Sequence, residues 1–346
     1  MDFTRPDLRR ATRDPRLRAR VVRSTPLLYA DGADPALDRP AHVRSASGIV
    51  RVGGRLMVVQ DDASFVAIIQ RDTLAVSSLT LPAGVDGRRQ FDDGRGNKHR
   101  KLDLEAATVA PDVDGRPMVL AFGSGSLPAR ERILLVRDCE SPHPQPALVN
   151  ASALYAALRA ETAFAGSELN VEGATLVGST VRLFNRGNGA PAAGLRPVDA
   201  TCDVEWAGLR EHLIDPERHP VPRIHAVTGY DLGTVDGCRL TFTDAAAARG
   251  AVLFAATAED SPDAVRDGPV AGSALGVIGA DGGVRLAIIE SADGSRYGGK
   301  VEGICPDAAH PGRLLAVIDR DEPGTPSELL EIELAGPWFG GDGTTA

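Results

Sequence analysis

The chain has 346 residues, 38 of them Gly and 24 Pro, with a formal net charge of −9 and a pI near 5.3. That length suffices for one large repeat domain or two ordinary domains with a buried core. The acidic balance argues against a general nucleic-acid surface, which needs excess Lys and Arg to displace counterions, and no window approaches the roughly 18 continuous apolar residues of a membrane span.

The N-terminal stretch MDFTRPDLRRATRDPRLRAR is charged and lacks an apolar core, so neither a signal peptide nor a membrane anchor is expected. Near residues 19 to 29 the run RARVVRSTPLLYA reads as a strand. The chain then repeats itself. Leu102-Asp-Leu-Glu105-Ala-Ala-Thr, Leu169-Asn-Val-Glu172-Gly-Ala-Thr and Gly299-Lys-Val-Glu302-Gly-Ile-Cys each place one glutamate after an apolar residue and before a small one. Ser47 and Thr243 occupy the same position in two degenerate copies. The markers at 47, 105, 172, 243 and 302 are separated by 58, 67, 71 and 59 residues.

Within each unit a small-residue strand is followed by a turn, an apolar strand ending in polar residues, and another apolar strand. This order predicts an all-β chain forming a single β-propeller, with inner strands starting near 44, 102, 169, 240 and 299. Five blades are expected. The alternatives are a six-bladed ring, with a blade hidden between Trp206 and Cys238, or a pair of β-sandwiches. Room for only about three strands remains after Glu302, so residues 19 to 29 are expected to close the ring and remove its exposed edges. One segment breaks the pattern: residues 151 to 164, ASALYAALRAETAF, have helical periodicity, with Asn150 as N-cap, and form an insertion.

Cys139, Cys202, Cys238 and Cys305 show no metal-ligand spacing and are expected as buried small hydrophobes in a reducing compartment. The expected setting is cytoplasmic, where the Asn150-Ala-Ser152 sequon has no consequence.

Period-two alternation on an inner strand sends Glu105, Glu172 and Glu302 one way and Leu104, Val171 and Val301 the other. Carboxylates from separate blades would then meet at the axis. There they repel and raise one another's pKa unless a cation or basic groups neutralise them. A hard divalent ion, calcium first, suits such oxygen ligands, and Ser47 and Thr243 could add neutral oxygens. A tunnel lined by solvated or purely structural glutamates is the other reading of the same pattern.

A second set lies where the second strand of each unit ends. Asp61, Asp62, Asn185, Arg186, Asp319 and Asp321 could extend a metal or substrate site, although turns have this composition in any case. The Asp319 stretch begins like an EF-hand, but its twelfth position is Leu330, so that reading fails. The basic run Lys98, His99, Arg100 and Lys101 precedes the Glu105 strand and would suit the phosphate or carboxylate of a substrate, or else balance Asp92, Asp93 and Asp103 as a solvated loop. His99 is the candidate acid–base group.

The Val-Glu-Gly-Ile/Ala pattern resembles the phytase-like and SdiA-regulated propellers and, more distantly, calcium-dependent lactonase and paraoxonase-type propellers. With the Lys101-Leu-Asp-Leu-Glu-Ala106 variant, the whole looks most like a bacterial propeller family of unknown function. The resemblance implies that Glu105, Glu172 and Glu302 match an axial glutamate facing a central metal. No counterpart of the full asparagine and aspartate ligand set is found.

Two functions are expected from these observations. One is a calcium-dependent hydrolase of ester, lactone or phosphate-ester substrates. The other is a non-catalytic binding or scaffold propeller that engages a small molecule or a protein at one face, with neither nucleic acid nor membrane as partner.

Overall fold

The computed structural model describes residues 7–84, 86–260 and 268–339. The first six residues of the N-terminal stretch discussed above lie outside them.

The apolar runs of the sequence form antiparallel meanders, one after another. The first consists of Ala46–Val52, Arg55–Gln60, Phe65–Gln70 and Val76–Thr80, and the second of Leu104–Pro111, Pro117–Gly123, Arg132–Arg137 and Gln145–Asn150. Next come Val171–Val177, Thr180–Asn185, Asp199–Glu205 and Ile224–Asp231, then Cys238–Ala248, Ala251–Glu259, Val270–Ile278 and Val284–Glu290. The last meander has Lys300–Pro306, Arg313–Asp319 and Glu328–Ala335.

Its outer strand comes from the other end of the chain. Arg18–Pro26 pairs antiparallel with Glu328–Ala335 and also touches Val284–Glu290 in parallel, through Ile289 with Ala19 and Glu290 with Arg20. Upstream, Thr12–Arg13 pairs with Val284–Glu290, and Asp7–Arg10 pairs with Ile224–Asp231. The N-terminal segment therefore fastens three meanders together and covers edges that would otherwise be open.

Strands with apolar residues at consecutive positions are buried on both faces, as layered sheets require. In Arg55–Gln60, Leu56 and Val58 pack against Leu315, Val317 and Leu329 of the last meander, while Met57 and Val59 pack against Val119 and Leu134 of the second. Each such side chain contributes about 1.5–3 kcal/mol by leaving water. Between the third and fourth meanders, Phe242 meets Phe184, Tyr230 and Phe254 edge-on at centroid distances of 5.1, 5.2 and 5.2 Å.

The inner strands touch in a closed cycle, which makes the architecture a β-propeller. The Ser47 hydroxyl donates to the Leu104 carbonyl, and Leu176 N–H donates to Thr108 Oγ1 at 3.2 Å. Ala247 N–H reaches Thr175 Oγ1 at 2.8 Å, and Thr243 Oγ1 donates to the Val301 carbonyl at 2.6 Å. A Cβ on Gly303 would lie 2.8 Å from the Ser47 carbonyl oxygen, so the last inner strand abuts the first.

That crowding explains the small residue after four of the five markers, Gly48, Ala106, Gly173 and Gly303, with Asp244 the exception. A Cβ on Gly173 would meet Ala245 N at 3.1 Å and the Asp244 carbonyl carbon at 3.2 Å. The marker itself is a register shift. In all five inner strands the pairing slips across residues 47, 105, 172, 243 and 302, where a β-bulge leaves one residue unpaired and re-aims its side chain.

The helical insertion is Ser152–Ala160 followed by Thr162–Ala165, buried through Leu154, Tyr155, Leu158 and Phe164. The cap differs from the sequence expectation. Ala151 holds the cap position, and Asn150, one residue earlier, accepts from Ser152 N–H at 3.1 Å. The stretch between Trp206 and Cys238, the place for a hidden blade in the six-bladed alternative, folds into helix Trp206–Ile214, strand Ile224–Asp231 and the short strand Thr234–Val235. Glu205 caps that helix by accepting from Ala207 and Gly208 N–H at 3.0 and 2.6 Å. Cys139, Cys202 and Cys305 are buried, Cys238 is partly exposed, and all four are free thiols. Among the described residues no helix is long and apolar enough to cross a membrane.

Candidate functional site

The bulges bring Ser47, Glu105, Glu172 and Glu302 to one axial chamber of about 40 Å³. The positions two residues before the markers share this lining: Ser45, Asp103, Asn170 and Lys300 all border it. Seven acids (Asp61, Asp103, Glu105, Glu172, Glu302, Asp319 and Asp321) face four bases (Lys101, Arg130, Arg186 and Lys300) across it.

Charges are arranged in two halves. In one, the Lys101 ammonium lies 2.5 Å from Asp61, 2.7 Å from Asp103 and 3.1 Å from Asp62, while Arg130 Nη1 donates to Asp103 at 2.8 Å. In the other, Lys300 meets Glu302 at 2.8 Å and Glu259 at 3.5 Å; Arg186 meets Glu172 at 3.4 Å and also pairs with Glu259. Asn170 Nδ2 donates to Glu172 at 2.7 Å. The first half also holds a donor set: one ligand oxygen each from Asp61, Asp103 and Glu105 lies within 4.8 Å of the others.

Burial and mutual repulsion set the proton affinities. Desolvation, followed by the charges of Asp61, Glu172 and Asp103, pushes Glu105 well above the usual carboxylate range. Desolvation, then Glu172, lifts Glu302 to about 8 despite Lys300. Asp61 is raised well above its ordinary value, chiefly by desolvation. For Asp103, desolvation works upward but Lys101 and Arg130 outweigh it, so the carboxyl is held low. The same acids hold the Lys101 ammonium charged against the desolvation that opposes it.

The other sequence candidates are distributed differently. Lys98, His99 and Arg100 form a single 3₁₀ turn outside the chamber lining. His99 is exposed and accepts from Arg100 Nε at 3.3 Å, and Arg100 lies 3.8 Å from Asp86. Asp62 accepts from Ser45 Oγ at 3.4 Å and sits 3.7 Å from Arg44. Asn185 is buried and spans backbone: it accepts from Asn170 N–H at 2.7 Å and donates to the Val198 carbonyl at 2.9 Å. Asp319 and Asp321 stand at the chamber, where Asp319 also accepts from Asp321 N–H at 3.0 Å. Thr243 lies outside the lining, its hydroxyl committed to the Val301 carbonyl.

Sequence reasoning left Lys300, Arg130, Asn170, Asn188 and Glu259 without a role. A usable signal existed for two of them. The position two before each marker reads Ser45, Asp103, Asn170, Thr241 and Lys300, polar in every unit and on the marker's own face of the strand. Arg130 carries no such signal, because it reaches the chamber from a 3₁₀ turn, Pro128–Arg130.

No curated protein matches the chain in sequence. Among solved structures it is similar to glutaminyl cyclase from Myxococcus xanthus, at 10% identity and a TM-score of 0.47 over 96% of this chain and 99% of that one. It is also similar to the PQQ-bound aldose sugar dehydrogenase from Streptomyces coelicolor, at 14% identity and a TM-score of 0.46 over 93% and 100% of the two chains. A third is the calcium-binding protein regucalcin from Agrobacterium tumefaciens, at 13% identity and a TM-score of 0.40 over 96% and 98%. The sequence profile of DUF6929 matches residues 42–334, and the chain accordingly belongs to this family of unknown function.

Proposed function

We propose that this chain is a five-bladed β-propeller that binds a divalent cation, calcium foremost, at the Asp61–Asp103–Glu105 corner of its axial chamber, and that it turns over no organic substrate inside that chamber. Five is the number of inner strands in the closed cycle. The likeness of its Val-Glu-Gly pattern to phytase-like and SdiA-regulated propellers points the same way.

The observation that carries the proposal is the excess of seven lining acids over four bases in a space of about 40 Å³. Burial first, and then repulsion among the acids, makes Asp61, Glu105 and Glu302 hold protons, and a divalent ion would take the place of those protons. Size favours an ion over a substrate: pockets for organic ligands run to roughly 300–1,000 Å³, whereas this space accommodates an ion or a water or two. Oxygen-only donors suit calcium. A small molecule or protein ligand at one face, and a cytoplasmic setting, belong to the same proposal.

A second reading rests on Lys101. Its ammonium lies 2.5 and 2.7 Å from the carboxylates of Asp61 and Asp103, so the chamber could be a static ion-paired plug. Thermal unfolding in EDTA and in millimolar calcium separates the two. Cation binding predicts a calcium-dependent rise in Tm that Glu105→Gln removes. No rise in the folded wild type refutes the proposal and supports the plug.

A further inference from the structure

The opposite end of the axis holds a much larger space, about 850 Å³ and open to solvent, lined where the inner strands run out. Its walls include Val109, Leu176, Ala246 and Ala248, and its charged lining is three arginines, Arg51, Arg249 and Arg313, against one acid, Asp307. The acid is already satisfied. Asp307 accepts from Arg71 at 3.0 and 3.1 Å, from Ala309 N–H at 3.0 Å, and pairs with His310 at 3.1 Å.

Arg51 differs. Its Nε donates to the Gly53 carbonyl at 3.1 Å, while Nη1 makes no hydrogen bond and is held only by a 4.0 Å ion pair to Asp307. The Arg51 side chain is 32% exposed, and so long an ion pair leaves its guanidinium with donor capacity for a ligand carboxylate. Arg249 adds positive charge near the rim, stacked over the Phe339 ring at 5.2 Å. The volume falls in the range of small-molecule sites.

We propose that this cavity binds an amphiphile with one anionic head and an apolar body, an alkyl carboxylate of medium chain length, with its head on Arg51 and its chain along the Val109, Leu176 and Ala246 wall. The site is separate from the axial chamber and does not depend on a cation there.

Isothermal titration calorimetry with octanoate, decanoate and decanol, all below their aggregation concentrations, tests this on the full chain. Saturable one-to-one binding of decanoate is expected, about tenfold tighter than octanoate for its two extra methylenes and at least about tenfold tighter than decanol for its charge. Arg51→Gln should erase the preference for decanoate over decanol, and Ala246→Trp, which fills the cavity, should abolish binding of both. Circular dichroism checks that each variant is folded. The wild-type preference alone decides the matter if a variant fails to fold. Absence of saturable decanoate binding, equal affinity for decanol, or unchanged binding in both folded variants overturns the proposal.

Discussion

Replacing Lys101 with Met probes the chamber most sharply, because it removes one charge and little volume. The ammonium lies within 3.1 Å of Asp61, Asp62 and Asp103; Lys101 and Asp103 are buried, while Asp61 and Asp62 are partly exposed. Removing one member of a buried charge network costs roughly 3–5 kcal/mol. For a chain of 346 residues, an unfolding entropy of about 2.1 cal/mol/K per residue converts that to a fall in Tm of about 4–7 °C in EDTA. Calcium should then act more strongly on Lys101→Met than on the wild type, since the ion no longer competes with an internal cation. At a calcium concentration 100 times Kd the recovery would be about 2.7 kcal/mol. Scanning calorimetry in EDTA and in calcium at pH 7 reads both effects. Unchanged stability of the variant in EDTA, or a calcium shift in the wild type that the variant lacks, would refute this reasoning.

Other outcomes follow from the same structure. Glu302 is lifted to about 8 from an ordinary value of 4.5, so the native state keeps a proton that the unfolded chain releases. Its stabilising contribution is complete below about pH 4.5 and is lost as pH rises to about 8; Glu302→Gln should flatten the fall of Tm between about pH 5 and 8, and an unaltered slope contradicts the assignment. At Gly303, an added Cβ would meet the Ser47 carbonyl oxygen at 2.8 Å and Gly48 Cα at 3.0 Å, so Gly303→Ala should cost about 1–3 kcal/mol in urea titrations. Phe242→Ala removes a fully buried ring that touches three others, for an expected loss of about 3–5 kcal/mol by the same assay. Deleting the chain through Pro26 exposes the Glu328–Ala335 edge and should raise aggregation above that of the full chain on light scattering.

Much of this architecture is legible in the amino-acid order. The repeated glutamates mark the inner strands because the bulge and the tight approach of neighbouring strands impose a local pattern: one re-aimed side chain, then a residue small enough to pass the next strand. Such a constraint is written in consecutive residues. The chamber's bases are less visible, since Lys101, Arg130, Arg186 and Lys300 enter from a loop, a 3₁₀ turn, a strand end and an inner strand respectively, and no common spacing links them. The degenerate markers also carry a message that composition alone hides. Ser47 and Thr243 use their hydroxyls to bond the next inner strand's backbone, a role a glutamate would not fill without withdrawing its charge from the chamber. His99 stands out in the sequence because it sits in the basic run before the Glu105 strand, yet its turn holds it at the surface.

Crystals soaked with manganese as a stand-in for calcium give the most direct test of the axial cation site. An anomalous peak bonded to oxygens of Asp61, Asp103 and Glu105, with the Lys101 ammonium moved aside, is the predicted result. A map in which Lys101 keeps its contacts to Asp61 and Asp103, and the anomalous density lies elsewhere, contradicts it.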